Sequence, residues 1–249
     1  MEQGKFAREL KEGRRGGSRI NAQYNTAAPD SLPARIARYQ RRKMFRAFMA
    51  FAKPQPQDTI LDVGVTSDRS YDHSNYFAAW YPHKAAITAV GLDDASFLSA
   101  LYPGLRFVRA DGRDLPFAQA SFDYVHSSAV IEHVGDRRKQ MRFLSEAWRV
   151  ARKGIFVTTP NRWFPVEFHT VLPLLHWAPP RLYRSLLASL GREFFARESN
   201  LNLLSRSDLA QLAAEVGIAG GNIANIGSVA LCGWPTNLLL SAQKVGELT

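Results

Sequence analysis

Residues 60–68 read ILDVGVTSD. Ile60–Val63 is a short apolar run with one carboxylate, Asp62, and it closes on Gly64. Such a run reads as a buried strand ending in a tight turn, where open α/β sheets hold their ligands. A dinucleotide loop would continue with more glycines, so that a pyrophosphate could approach the backbone at a helix N-terminus. Val65, Thr66, Ser67 and Asp68 follow instead. The strand end is present and the phosphate cradle is not.

Downstream, strand-like and helix-like segments alternate. Ala86–Leu92, Leu105–Ala110, Phe122–His126 and Ile155–Thr159 read as strands after the first, Thr59–Gly64. Short helices are expected over Ser74–Trp80 and from Ala95. A longer one is expected over Asp136–Arg152, with Met141, Leu144, Trp148 and Ala151 on its core face and Gly154 just past its end. This rhythm predicts a doubly wound α/β fold, a seven-stranded and mostly parallel sheet with helices on both faces. Ser205–Val216 reads as a helix capped by Ser205, and Ile223–Val229 and Asn237–Gln243 as the last two strands, joined by a loop holding Cys232, Gly233 and Pro235.

Two regions flank this pattern. Residues 1–32 are polar and read as a flexible basic tail ahead of a domain over 33–249. Pro33 opens a helix over 33–52, in which Ala37, Met44, Phe45, Phe48 and Ala52 share a spacing that suits packing on the core or lying on a membrane surface. Residues 161–204 are rich in aromatics, Pro and Arg, with helical character over Arg181–Leu190, and read as a cap inserted over the carboxyl edge of the sheet.

The chain has 249 residues and a formal net charge of +10. The first 46 residues hold twelve Lys/Arg against four Asp/Glu, a segment that could touch anionic membrane or nucleic acid. It lacks the interleaved aromatics of an RNA-binding motif, which argues against nucleic acid. Cys232 is the single cysteine, so no internal disulfide forms, as in a reducing compartment. No apolar stretch reaches the roughly 18 residues of a bilayer span, no signal-peptide core is visible, and the expected setting is the cytoplasm. The histidines and the cysteine match no zinc spacing, so no metal is expected.

Polar residues follow five strands in turn: Asp62 and Gly64, Asp93 and Asp94, Asp111 and Gly112, Ser127 and Ser128, then Thr159, Pro160 and Asn161. Carboxylates after three successive strands exceed what a dinucleotide ribose needs. S-adenosyl-L-methionine has an adenine amine, ribose hydroxyls and an ammonium for carboxylates to meet, and no phosphate. Read singly, Asp62 could equally hold loop amides, Asp94 a helix N-terminus and Asp111 a turn. Trp148 reads as core, His126 as a packed histidine, and Glu132 and His133 as fixing the loop before Asp136, with contact to substrate the alternative for His133.

In this order, ILDVG, ITAVGLDD, VRADGRDLPF, SFDYVHSSAVIEHV and GIFVTTPN resemble the class I S-adenosylmethionine-dependent methyltransferases. Within them the chain is most similar to the small-molecule type 11 group related to ubiquinone-biosynthesis methyltransferases. The resemblance covers residues 58–161, and NLLLSAQK resembles the family's last strand. It departs from the family in the glycine-poor loop and in a long gap between Gly64 and Asp93, where an extended loop is expected over Asp68–Asn75. The resemblance implies that Asp62, Gly64 and Val65 frame the methionine end, Asp93 meets the ribose, and Asp111 meets the adenine amine, with Gly112 and Arg113 beside the ring. Ser127 and Ser128 would line the floor near the sulfonium.

Methyl transfer from a sulfonium is an in-line displacement, helped by positioning and by a general base for a hydroxyl or acidic-carbon nucleophile. Asn161, directly after the fifth strand, is expected to point at the reacting methyl group. Arg162 is expected to hold an acidic group of the acceptor, and Glu167, His169 and His176 are the acid–base candidates. Trp163, Phe164, Phe168 and Trp177 could equally just roof the fold. The expected acceptor is a small molecule: a lipid, quinone-like or sugar compound. The alternatives are a non-catalytic cofactor-binding scaffold and an RNA methyltransferase guided by the basic arm. The motif of DNA amino-methylating enzymes is missing, and HSSAV ends the fourth strand instead.

Overall fold

A computed structural model describes residues 31–69, 74–218 and 223–245. The expected tail thus lies almost wholly outside the described residues, as does the middle of the expected Asp68–Asn75 loop.

Helix α1 (Leu32–Ala52) starts where Ser31 Oγ accepts the Ala34 N–H and Pro33 occupies the first turn. It ends where Lys53 turns left-handed ahead of Pro54. Met44, Phe48 and Ala52 are buried in the core beside the sheet, so this part of the apolar stripe is a packing face. Phe48 lies edge-on to Phe77, Tyr124 and Phe156.

Strands β1 (Ile60–Val63), β2 (Ile87–Gly91), β3 (Arg106–Arg109), β4 (Phe122–Ser128) and β5 (Ala151–Pro160) are parallel. Strands β6 (Ile223–Leu231) and β7 (Trp234–Gln243) form a hairpin whose second strand runs antiparallel to β5. The order is β3-β2-β1-β4-β5-β7-β6, the seven-stranded, mostly parallel sheet expected. Strand order reverses between β1 and β4, and the crevice beyond their carboxyl ends is the natural ligand position.

Helices α2 (Tyr76–Trp80) and α3 (Phe97–Leu101) are short; α4 (Arg137–Val150) and α7 (Arg206–Glu215) pack on the other face from α1. Asp136 caps α4, and Ser205 and Asp208 form a reciprocal capping box on α7. Two expectations are corrected. The buried face of α4 is Phe143, Leu144, Ala147 and Val150, with Met141 and Trp148 only half-buried beside it. Gly154 does not end α4, because the chain enters β5 directly at Ala151. Gly154 is needed inside the strand, where a Cβ would stand 2.5 Å from the Ala242 carbonyl oxygen. The last two strands are longer than expected, and only Cys232 and Gly233, both at positive φ, separate them.

At the amino edge, Asp123 accepts from Thr59 and pairs with Arg152 and Lys153, and Lys153 also reaches Asp58. At the opposite edge, the cap over 161–204 carries α5 (Pro180–Ser189) and α6 (Glu193–Ala196), with its own small core of Tyr183, Leu187, Phe195 and Leu201. Among the described residues no helix is long and apolar enough to cross a membrane.

Candidate active site

A cavity of about 560 Å³ runs along the carboxyl edge, within the usual size for small-molecule sites. Gly64, Asp111 and Gly112 line one part of it, Ser128 its middle, and His133 and His169 the cap side. Arg41 and Met44 of α1 form another wall, which the sequence reading did not assign to the site.

The glycine-poor loop has a specific construction. Gly64 has φ 99°, and a Cβ there would lie 2.1 Å from Val130 Cγ2. The Gly64 and Val65 amides both donate to the Val90 carbonyl, at 2.7 and 3.0 Å. Two amides that a pyrophosphate would want are therefore already used. Thr66 is then clasped by Asn75, whose side chain accepts from the Thr66 N–H and donates to its carbonyl, each at 2.9 Å. A side-chain clasp fixes the turn that glycines fix in a phosphate loop. Asp68 closes it locally, its N–H donating to Thr66 Oγ1.

The strand-end residues divide by orientation. Asp111 faces the cavity and is gripped by Arg113, whose Nη2 lies 2.6 Å from its Oδ2. That pairing holds the Asp111 carboxyl below its ordinary value. Gly112 leaves room for a flat ligand, since a Cβ would meet Phe143 at 2.7 Å. Asp93 does not line the cavity wall, but its Oδ2 is buried with no hydrogen-bond partner among the described residues. An orphaned carboxylate oxygen beyond β2 fits waiting ribose hydroxyls.

Asp62, Val65 and Ser127 face elsewhere. Asp62 is buried, with Oδ1 2.7 Å from His126 Nδ1, and His126 Nε2 lies 3.2 Å from the Tyr76 hydroxyl. His126 is a packed histidine, stacked on Phe77. Asp62 and Val65 border a small side recess rather than the main cavity. The Ser127 hydroxyl donates to the Val63 carbonyl, while the Ser128 hydroxyl accepts from Thr158 at the cavity wall.

The cap residues reorganise the acid–base expectations. Asn161 does not point into the cavity: its Nδ2 donates to Pro235 O and its Oδ1 accepts the Trp163 N–H. Arg162 donates to the Ala178 carbonyl, and His176 bonds the Phe164 carbonyl. Phe168 does line the cavity, whereas Trp163 is half exposed. His169 lines the cavity, with Nδ1 2.6 Å from Glu167 Oε1. Glu167 is buried behind it and also accepts from the Thr170 N–H and hydroxyl.

Beyond fixing the loop before Asp136, His133 and Glu132 meet residues of the cap and of β5. His133 Nε2 lies 3.0 Å from His169 Nε2, and His133 Nδ1 lies 2.7 Å from the Asn200 carbonyl. Glu132 is fully buried; its Oε2 accepts from Thr159, while Oε1 has no hydrogen-bond partner among the described residues. Burial pushes the Glu132 carboxyl up to about 7. Burial, then the neighbouring His169, pushes His133 down to about 3. Burial opposes charge on the His169–Glu167 pair as well, yet each partner's field outweighs it, raising His169 and holding Glu167 at about 2. The only sequence signal was the run IEHV; His169 lies 36 residues from His133, and the Asn200 carbonyl 67.

Known proteins share this fold. A family model described as a methyltransferase domain matches residues 61–158. A probable S-adenosylmethionine-dependent methyltransferase of Mycolicibacterium smegmatis is 38% identical over 79 residues, 29% of this chain and 30% of that protein. The match thus spans under a third of the curated relative's length. Among solved structures, a Pyrococcus horikoshii protein aligns with TM-score 0.55 and 15% identity over 92% of this chain and 99% of its own. A magnesium protoporphyrin IX methyltransferase of Synechocystis, solved with bound SAH, aligns with TM-score 0.53 and 12% identity over 96% and 94%. The methyltransferase-domain match over residues 61–158 and the seven-stranded sheet together give this chain a methyltransferase-type fold.

Proposed function

We propose that this chain transfers a methyl group from S-adenosylmethionine to a small-molecule acceptor lodged under the cap. The observation that carries the proposal is the single cavity joining Asp111 at the strand end to the imidazoles of His133 and His169 at the cap. When bound, the cofactor supplies an electrophilic methyl on a sulfonium. Asp93 would accept from the ribose hydroxyls through its orphaned oxygen, and Asp111, fixed by Arg113, would accept from the adenine amine. Gly64 and Gly112 keep the floor open, and Ser128 stands midway. The cap shields the acceptor end from water, where His133 and His169 meet the acceptor and Glu167 orients His169. Much of the rate then comes from positioning. Met44, Val130 and Phe168 give the cavity apolar walls beside those imidazoles, which suits a lipid or quinone-like acceptor, or a sugar carried on one.

Calorimetric titration with S-adenosylmethionine tests the cofactor half. Binding should be saturable, and Asp93→Ala should weaken it roughly tenfold to a hundredfold, the effect of stranding hydrogen-bonding hydroxyls at about 1–3 kcal/mol. Absence of binding at millimolar cofactor would overturn the proposal. Transfer of labelled methyl into lipid-soluble or sugar-containing fractions of a small-molecule extract tests the acceptor half.

A further inference from the structure

The donors around Glu132, His133 and His169 have an arrangement that methyl transfer does not require. His133 Nδ1 faces the Asn200 carbonyl, and His169 Nδ1 faces the Glu167 carboxylate, at 2.7 and 2.6 Å. Neither oxygen can donate, so each Nδ1 carries the proton of its bond. In the neutral rings both Nε2 atoms then carry lone pairs, and these face one another across 3.0 Å. The Glu132 Oε1 atom, fully buried and without a hydrogen-bond partner among the described residues, stands 3.8 Å from His133 Nε2. These two nitrogens and Glu132 Oε1 lie within 4.8 Å of one another.

We propose that Glu132, His133 and His169 bind one divalent transition-metal ion of the zinc class at the cap end of the cavity. Two imidazoles and one carboxylate are a donor set used for zinc with an open position. Nitrogens about 2.0–2.1 Å from a tetrahedral zinc lie about 3.3 Å apart, so the observed pair needs to open by only a few tenths of an ångström. The outer shell is already in place: Glu167 and the Asn200 carbonyl hold the far nitrogens of the two imidazoles, and Thr159 holds the far oxygen of Glu132. A dication also balances the buried Glu132 and Glu167 carboxylates, whose charge is otherwise costly to bury. Because His133 and His169 line the cavity, the ion's open position would take an oxygen of the acceptor. That last step rests on the methyl-transfer reading; ion binding itself does not.

The full chain, stripped with a chelator, is titrated with Zn²⁺ in competition with a chromophoric chelator. One ion per chain should bind with submicromolar affinity. His133→Ala and His169→Ala should each weaken it at least a hundredfold, and Glu132→Gln at least tenfold. Glu167→Gln should weaken it tenfold to a hundredfold while removing no ligand. Cys232→Ser should change nothing, which excludes capture by the exposed thiol. Crystals of the unmodified chain with Zn²⁺, measured at the zinc edge, avoid any dependence on variant folding. An anomalous peak between the three residues supports the site. No peak there, or affinity indifferent to both histidine variants, overturns it and leaves a shared proton between the imidazoles.

Discussion

The two ends of the cavity are built differently. The strand-end half relies on backbone turns and on carboxylates within a few residues of β1, β2 and β3: Gly64, Asp93 and Asp111. The cap half relies on buried side chains drawn from β5, from the segment between β4 and α4, and from the cap: Thr159, Glu132, His133, Glu167 and His169. The first half holds its shape through backbone turns and the Asn75 clasp on Thr66. The second is a connected polar network, in which each deletion strands a buried partner.

The largest expected effect follows from that difference. Glu167→Ala removes the partner of His169 Nδ1 and of the Thr170 N–H and hydroxyl at once. Breaking a buried charged pair costs about 3–5 kcal/mol, and denaturant unfolding should show a loss of that size. Glu215→Ala breaks the exposed pair with Arg137 and should cost under about 1 kcal/mol. Similar losses for the two would end the distinction between a buried network and a solvated surface.

On the strand-end half the vulnerable atom is one that is not there. Gly64→Ala combines φ 99° with a Cβ 2.1 Å from Val130 Cγ2. Backbone strain and overpacking together predict a loss of about 2–4 kcal/mol. Adding Val130→Ala relieves the steric part and should recover about half. Full recovery would show that the positive φ costs nothing here, and no recovery would show that the valine was never the obstacle.

The same contrast explains what the sequence could disclose. The mostly parallel sheet and the positions of Asp93 and Asp111 just beyond β2 and β3 were legible because each depends on local periodicity. Gly154 misled as a helix terminator, because its need is for space against the Ala242 carbonyl on β7, some 90 residues away. Asp62 resembled a ligand and proved to be the partner of His126, a pairing set by the register of β1 with β4. The His133–His169 contact had no local signature at all. It exists because the cap folds back over the end of β4, and only the short run IEHV marked one side of it.

Acid should also act at the far edge of the sheet, away from either half of the cavity. Burial alone would raise the Asp123 carboxyl, but bonds from Arg152, Thr59 and Lys153 outweigh it and hold it at about 2 against an ordinary 3.8. The lowered value means that the stabilisation is complete above about pH 4 and is lost as pH falls towards 2. About 1–2 kcal/mol should disappear in that window, after allowing for the partial exposure of Arg152 and Lys153. Asp123→Asn should flatten the stability profile between pH 4 and 2. A slope unchanged in that variant would assign the acid sensitivity to other carboxylates.

The smallest effect separates position in sequence from position in space. Asn161 follows β5 directly, yet both ends of its amide are engaged by the Pro235 carbonyl and the Trp163 N–H. Asn161→Ala should therefore lower stability by about 1 kcal/mol, through those two partly exposed hydrogen bonds. It should leave cofactor affinity unchanged, because the residue does not line the cavity. A residue directed at the transferring methyl would behave in the opposite way, with stability preserved and kcat reduced at constant KM. If Asn161→Ala lowers kcat without destabilising the fold, the cap must rearrange when the cavity fills, and the division between a pre-formed strand-end half and a pre-formed cap half would fail at the cap.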